Sequence, residues 1–245
     1  MTSAPWLAQY SGDTEFDGVL FDLDGVLTPT ADVHMAAWNR MFSDYCAQAG
    51  VEQPYTDQDY FDYVDGKPRY DGVASCLASR GIELPYGDPA DAPGTDTICA
   101  LGNMKNDAFT AVLEEDGVEP YPGSVRLMDE LERRGIAMAV VSSSRNAPAV
   151  LEAAGLASRF EHVVDGVVAA RQGLPGKPAP DTYLYGAQLI GASPSRAVVV
   201  EDATSGVAAG AAGGFALVLG VDRGAGREEL LAGGAPLVVA DLDEV

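Results

Sequence analysis

Basic residues are scarce in this chain. Its 245 residues hold 15 Lys plus Arg against 37 Asp plus Glu, a formal net charge of −22. Only three of the cations are lysines: Lys67, Lys105 and Lys177. Nucleic acid and anionic lipid both require a clustered Lys/Arg face, so the composition excludes them as partners. Histidine is scarcer still, with His34 and His162, and the three cysteines (Cys46, Cys76, Cys99) show no CxxC spacing. No zinc constellation assembles from that set, and the cysteines read as reduced thiols of a cytoplasmic protein. The opening MTSAPWLAQYSGDTEF has neither a basic nor an apolar stretch, so no secretory leader is expected there. Long apolar runs are missing too. The longest uncharged segment, Ala203–Val221, holds five glycines and reads as a small-residue helix, a glycine turn and a strand, FALVL.

What is present is an ordinary globular composition, 47% hydrophobic and 21% charged. A chain of this length buries roughly 70–75% of its unfolded surface and needs no disulfide or metal to fold. Strand-length apolar runs recur at Gly18–Leu23, Ile136–Ser142, Ala197–Val200, Phe215–Leu219 and Leu237–Ala240. Continuous runs of this kind suit strands buried on both faces, hence a parallel sheet. Helix-length segments alternate with the later runs at Ser124–Arg134, Ala147–Ala154, Asp181–Ile190 and Ser205–Ala212, and His162 starts a minor strand. That βα alternation predicts an α/β, Rossmann-like, doubly wound parallel sheet. About a hundred residues separate the first strand from the rest, and they look helical: His34–Gly50, Thr56–Val64, Arg69–Arg80 and Thr95–Glu115. The expected organisation is a catalytic core of residues 1–33 and 121–245 with an α-helical cap, residues 34–120, inserted after the first strand. Ligands of such sheets sit at the C-terminal strand ends, where the insertion would form a lid.

Those strand ends carry the chemistry. Asp22 and Asp24 in FDLDG lie two apart, the strand period that sends both carboxylates the same way. Glu201 and Asp202 close another apolar strand in VVVEDA. Buried carboxylates repel unless a cation compensates them, and hard oxygen donors favour Mg²⁺, so the two pairs imply one shared metal. Ser142 leads into Ser143, Ser144, Arg145 and Asn146, whose hydroxyls and amides before a helix suit a phosphate. Lys177 opens the rigid loop KPAPD.

Together, DxDG, the strand-end serine, Lys-Pro and Glu-Asp resemble the haloacid dehalogenase superfamily, across the whole core. The resemblance implies that Asp22 is a nucleophile forming an aspartyl phosphate and Asp24 a general acid/base. It implies that Ser142 and Lys177 bind the transferring phosphoryl oxygens, and that Glu201 and Asp202 complete a Mg²⁺ site with Asp22 and the Asp24 carbonyl. DGVLTPT with His34 and Trp38, Gly66-Lys67-Pro68-Arg69, Lys105-Asn106 and the run from Ser142 to Asn146 are similar to the β-phosphoglucomutase-like branch. That branch implies Arg69 on the non-transferring phosphate, with Gly66, Lys105, Asn106, Ser144, Arg145 and Asn146 around the substrate. Thr30 and His34 then couple cap closure to Asp24. Three positions depart from the pattern: Asp65 where a lysine is usual, Pro29 where aspartate is common, and Gly72 where a cap serine is expected. The implied activity is a Mg²⁺-dependent phosphomutase interconverting β-glucose 1-phosphate and glucose 6-phosphate, with glucose 1,6-bisphosphate as intermediate. The alternative is a sugar-phosphate phosphatase of the trehalose-6-phosphate phosphatase kind. A monomer with a small-molecule sugar phosphate as its partner is expected.

Overall fold

The computed structural model describes residues 16–245, so the expectation of no leader falls almost entirely outside the described residues. Six strands form one sheet: β1 Gly18–Phe21, β2 Ala137–Val141, β3 His162–Val164, β4 Ala197–Glu201, β5 Leu217–Val221 and β6 Leu237–Val239. Their spatial order is β3-β2-β1-β4-β5-β6, and every pairing is parallel. The sheet is buried on both faces. Val19, Phe21, Val140, Val198, Val200 and Leu219 pack into one apolar layer, and Leu20, Ala139, Val141, Val199 and Val218 into the other. The period-two alternation within continuous apolar runs thus serves two cores at once. The later helices, Pro122–Arg134, Ala147–Ala153, Asp181–Leu189 and Thr204–Ala212, lie where the sequence predicts them, give or take two residues.

Between β1 and β2 the described residues contribute helices and no strand. The first, Thr30–Ala49, starts four residues before the expected His34, because Pro29 takes the N-cap position, and ends at the left-handed Gly50. The expected helix Thr56–Val64 is a three-residue turn, Asp57–Asp59, running into a π-helical turn, Tyr60–Val64. Thr56 and Asp59 cap the turn reciprocally, and Asp59 also pairs with Arg80 at 2.9 Å. Arg69–Ala78 and Ile98–Asp116 complete this part. Its apolar side chains form a third cluster of their own around Trp38, Phe42, Tyr60, Val73, Cys76 and Leu101.

Other differences have local causes. The FALVL strand begins two residues late: the Ala216 amide bonds to the Ala197 carbonyl, so the ladder starts at Leu217, while the Phe215 ring packs edge-on against Tyr183. The short helices Gly166–Gln172 and Arg227–Gly233 were not expected. The first rests on a local N-cap, Asp165 accepting from the Val167 and Val168 amides, more than on apolar periodicity. All three cysteines are buried and free, and no helix among the described residues is long and apolar enough to cross a membrane.

Candidate active site

The strand order brings the two acidic pairs together. β1 and β4 are neighbours, with Phe21 opposite Val200, so Asp22–Asp24 and Glu201–Asp202 leave the sheet side by side. Oxygens of Asp22, Glu201 and Asp202 lie within 4.8 Å of one another, and all three residues are buried. Gly25, in the turn that follows, adopts φ +82 and leaves no space for a side chain: a Cβ there would sit 1.8 Å from Asp202 Oδ2. The glycine of DxDG therefore both bends the chain and admits the second acidic pair.

One buried cation serves this cluster. Lys177 Nζ donates to Asp22 Oδ1 at 2.5 Å, to Glu201 Oε1 at 2.6 Å and to the Val141 carbonyl at 3.1 Å. Burial opposes the charge on Lys177, but Asp22 and Glu201 outweigh it and hold the ammonium well above its ordinary range. For Asp22 and Asp202 burial comes first and neighbouring carboxylates add to it, pressing both toward the protonated form. Three buried carboxylates against one ammonium leave negative charge uncompensated, and a donor set of hard oxygens fits a divalent cation such as Mg²⁺. Glu201 is further held by Tyr183 Oη at 3.1 Å and by the Ala203 amide at 2.8 Å.

Asp24 turns away from that cluster. Its Oδ1 takes a short hydrogen bond from Thr30 Oγ1, which touches Thr28 Oγ1 at 2.8 Å, and lies 3.4 Å from His34 Nε2. The 3.4 Å contact is an ion-pair distance without hydrogen-bond geometry, so His34 Nε2 has no hydrogen-bond partner among the described residues. Burial would lift the Asp24 carboxyl, but His34, Thr30 and Lys105 pull it below its ordinary value, so it is held as a carboxylate. His34 stacks on Phe109 at 4.0 Å, and its Nδ1 meets Lys105 Nζ. Lys105 is 3% exposed and lies over the rings of Trp38 and Phe109 at 5.0 and 4.9 Å. Burial, helped by Arg69 and opposed by Asp24, pushes it down to about 7.

A cavity opens to solvent above these groups. Ser142, Ser144, Arg145 and Asn146 line it from the end of β2, and Gly66, Arg69 and Lys105 line it from the helical part. Thr30, Asn106 and Lys177 stand behind the lining: Thr30 holds Asp24, and Lys177 holds Asp22. Asn106 Oδ1 accepts from Arg69 at 2.6 Å and from Asn146 Nδ2 at 2.7 Å. Ser142 Oγ accepts from the Ser144 amide at 3.0 Å, and Ser144 Oγ from the Asn146 amide at 3.1 Å. Lys67 is not a free cavity cation: its ammonium is taken by the Tyr63 carbonyl and Ser75 Oγ, both at 2.9 Å.

Sequence reasoning did not single out Tyr60 or Asn103. Asn103 Oδ1 accepts from Tyr70 Oη at 3.0 Å and from Arg69 at 3.3 Å. Asp65 lines the cavity, is hydrogen-bonded by Tyr60, and is raised to about 7 by burial and then by Glu201. The departure from lysine to aspartate was visible at residue 65; its closeness to Asp202 was not.

A family model described as haloacid dehalogenase-like hydrolase matches residues 16–214. The β-phosphoglucomutase of Mycobacterium tuberculosis is 46% identical over 235 residues, covering 92% of this chain and 90% of that protein. The fructose-1-phosphate phosphatase of Escherichia coli is 32% identical over 204 residues, covering 82% and 94%. A solved β-phosphoglucomutase structure from Clostridium difficile superposes with a TM-score of 0.76 at 23% identity, covering 94% of this chain and 93% of that one, a likeness of fold. Since the matched stretch runs from before Asp22 to beyond Asp202, the chain belongs to the haloacid dehalogenase-like hydrolases, as a phosphoryl-transfer enzyme.

Proposed function

We propose that the protein is a Mg²⁺-dependent phosphomutase that interconverts β-glucose 1-phosphate and glucose 6-phosphate through an aspartyl phosphate and glucose 1,6-bisphosphate. The observation that carries this reading is a cavity with two ends of unlike charge, an acidic one that a bound Mg²⁺ would compensate and a cationic one. One holds Asp22 with Lys177 and the carboxylate cluster; the other holds Arg69 and Arg145, with Lys105 adding charge below about pH 7. A hydrolase needs only the first end. In this reading residues 1–33 and 121–245 form the catalytic core, residues 34–120 the cap, and the protein acts as a cytoplasmic monomer.

Lys177 fixes Asp22 by Oδ1 and stays charged, leaving the carboxylate oriented toward phosphorus. Starting from phosphorylated Asp22, Asp24, kept as a carboxylate by Thr30 and His34, removes the proton from the attacking sugar hydroxyl as that oxygen bonds phosphorus and the Asp22–phosphorus bond breaks. Asp22 then attacks the other phosphate of the bisphosphate, the phosphorus–sugar oxygen bond breaks, and Asp24 returns the same proton to the departing oxygen. Ser142 and the amides after it bind phosphoryl oxygens; Gly66, Arg69, Asn106, Ser144, Arg145 and Asn146 orient the sugar phosphate. Asp22, Glu201, Asp202 and the Asp24 carbonyl would hold one Mg²⁺, which when bound draws negative charge from the phosphoryl oxygens.

The test supplies β-glucose 1-phosphate, Mg²⁺ and catalytic glucose 1,6-bisphosphate, and follows glucose 6-phosphate and free phosphate together. Isomerised product in large excess over phosphate is expected. Fast phosphate release without isomerisation would replace the proposal by the sugar-phosphate phosphatase, which the similarity to the Escherichia coli fructose-1-phosphate phosphatase favours.

A further inference from the structure

Two core hydroxyls reach across the cavity mouth to main-chain carbonyls of the turn that precedes Arg69. Ser143 Oγ donates to the Gly66 carbonyl at 2.7 Å, and Ser205 Oγ to the Asp65 carbonyl at 3.2 Å. The serines come from two different strand ends, after β2 and after β4, and converge on two consecutive peptide groups. The turn is seated closely. Gly66 has φ +68, and a Cβ there would lie 2.1 Å from Ser205 Oγ and 3.1 Å from Ala203 Cβ. The ring of Pro68, two residues on, is pressed against Gly176, where a Cβ would meet its Cγ at 2.5 Å.

This seating has an electrostatic opponent. The turn carries Asp65, which faces Glu201 and Asp202, so closing it brings a carboxylate toward carboxylates. Ser143 lines the cavity together with Ser142 and Ser144, but its hydroxyl is directed to the Gly66 carbonyl, whereas the hydroxyls of Ser142 and Ser144 bond along their own loop. Neither the Ser143 nor the Ser205 hydroxyl bonds within its own helix or loop. Each bond spans the molecule and exists only while the turn lies on the core.

We infer that Ser143 and Ser205 are positioning residues, a pair of hydroxyl latches that hold the Asp65–Gly66 turn shut over the cavity. By excluding water they set how the phosphorylated Asp22 partitions between a sugar hydroxyl and hydrolysis. The partition part rests on the phosphomutase reading; the latch does not. Each hydrogen bond shifts the closed-to-open ratio by about five-fold, and both together by about 25-fold.

The experiment uses the full chain as wild type, Ser143→Ala, Ser205→Ala, the double variant and Ser143→Thr, all with Mg²⁺ and beryllium fluoride as the aspartyl-phosphate mimic. Amide hydrogen exchange over residues 60–69 should quicken about five-fold in each alanine variant and about 25-fold in the double, with Ser143→Thr matching wild type. Unchanged exchange, or Ser143→Thr behaving like Ser143→Ala, overturns the latch. Turnover of β-glucose 1-phosphate in the same variants should show phosphate released per glucose 6-phosphate rising by the same factors. Exchange that responds while this ratio stays fixed overturns the partition part. If no protein in the set, wild type included, forms glucose 6-phosphate, the mutase reading fails while the exchange result still decides the latch.

Discussion

Lys105 should cost the protein stability, and replacing it with methionine should give some of that stability back. Its ammonium is 3% exposed, has no carboxylate within hydrogen-bonding reach among the described residues, and shares its surroundings with the cation of Arg69. Its pKa moves from 10.5 to about 7. Below about pH 7 the lysine is charged both folded and unfolded, so the folded state bears the whole burial penalty. Between about 7 and 10.5 the folded protein has released the proton while the unfolded chain keeps it, so stability rises with pH. At about 1.4 kcal/mol per pH unit the penalty is about 5 kcal/mol at pH 6 and about 2 kcal/mol at pH 9. Methionine also loses the His34 contact and the faces of Trp38 and Phe109, together worth about 2 kcal/mol.

The Lys105→Met protein should therefore be more stable than wild type by about 3 kcal/mol at pH 6 and about equal to it at pH 9. For a chain of this size that is a rise in Tm of roughly 6–12 °C at pH 6. His34 moves the result the same way, because losing its charged neighbour lets it protonate and pair with Asp24 at the lower pH. The assay is calorimetric melting of both proteins at both pH values, beside KM for β-glucose 1-phosphate, which should rise as the cavity loses a cation. A variant no more stable than wild type at pH 6, or a gain confined to pH 9, would refute the reasoning. The trade of stability for a charged cavity is common at sites that must bind anions.

Lys177→Met should do the reverse. It strands Asp22 and Glu201 without their shared cation, so stability should fall by about 3–5 kcal/mol at neutral pH, read by urea unfolding, with turnover lost as well. Saturating Mg²⁺ should recover part of that loss, and a variant as stable as wild type would mean the cluster does not depend on Lys177. Gly25→Ala places a methyl 1.8 Å from Asp202 Oδ2 at φ +82; Mg²⁺ affinity by calorimetry should fall at least about ten-fold while the far-ultraviolet dichroism is kept. Wild-type affinity in that variant would remove Asp202 from the metal site.

Which parts of this were legible in the sequence follows from the range of the interactions. Asp22 and Asp24 announce themselves by the strand period, and Glu201–Asp202 by ending an apolar run, because those signals lie within a few residues. That the pairs meet depends on β1 and β4 being neighbours, which the rules for parallel sheets supply. The latches were not legible. Ser143 and Gly66 are 77 residues apart and Ser205 and Asp65 are 140 apart, and their acceptors are main-chain carbonyls that every residue carries. The lysines make the same point more sharply. All three stand in polar, proline- or asparagine-flanked segments, yet Lys67 ends on a carbonyl four residues back, Lys105 on a histidine and two rings, and Lys177 on two carboxylates. Burial acts on Lys105 and Lys177 alike, and only the sign of the nearest charges decides that one falls to about 7 while the other is held well above its ordinary value. In a chain with a net charge of −22, two of its three lysines are thus withdrawn from solvent, Lys105 lining the cavity and Lys177 behind it, so in the phosphomutase reading the attraction for phosphate is built there rather than on the surface.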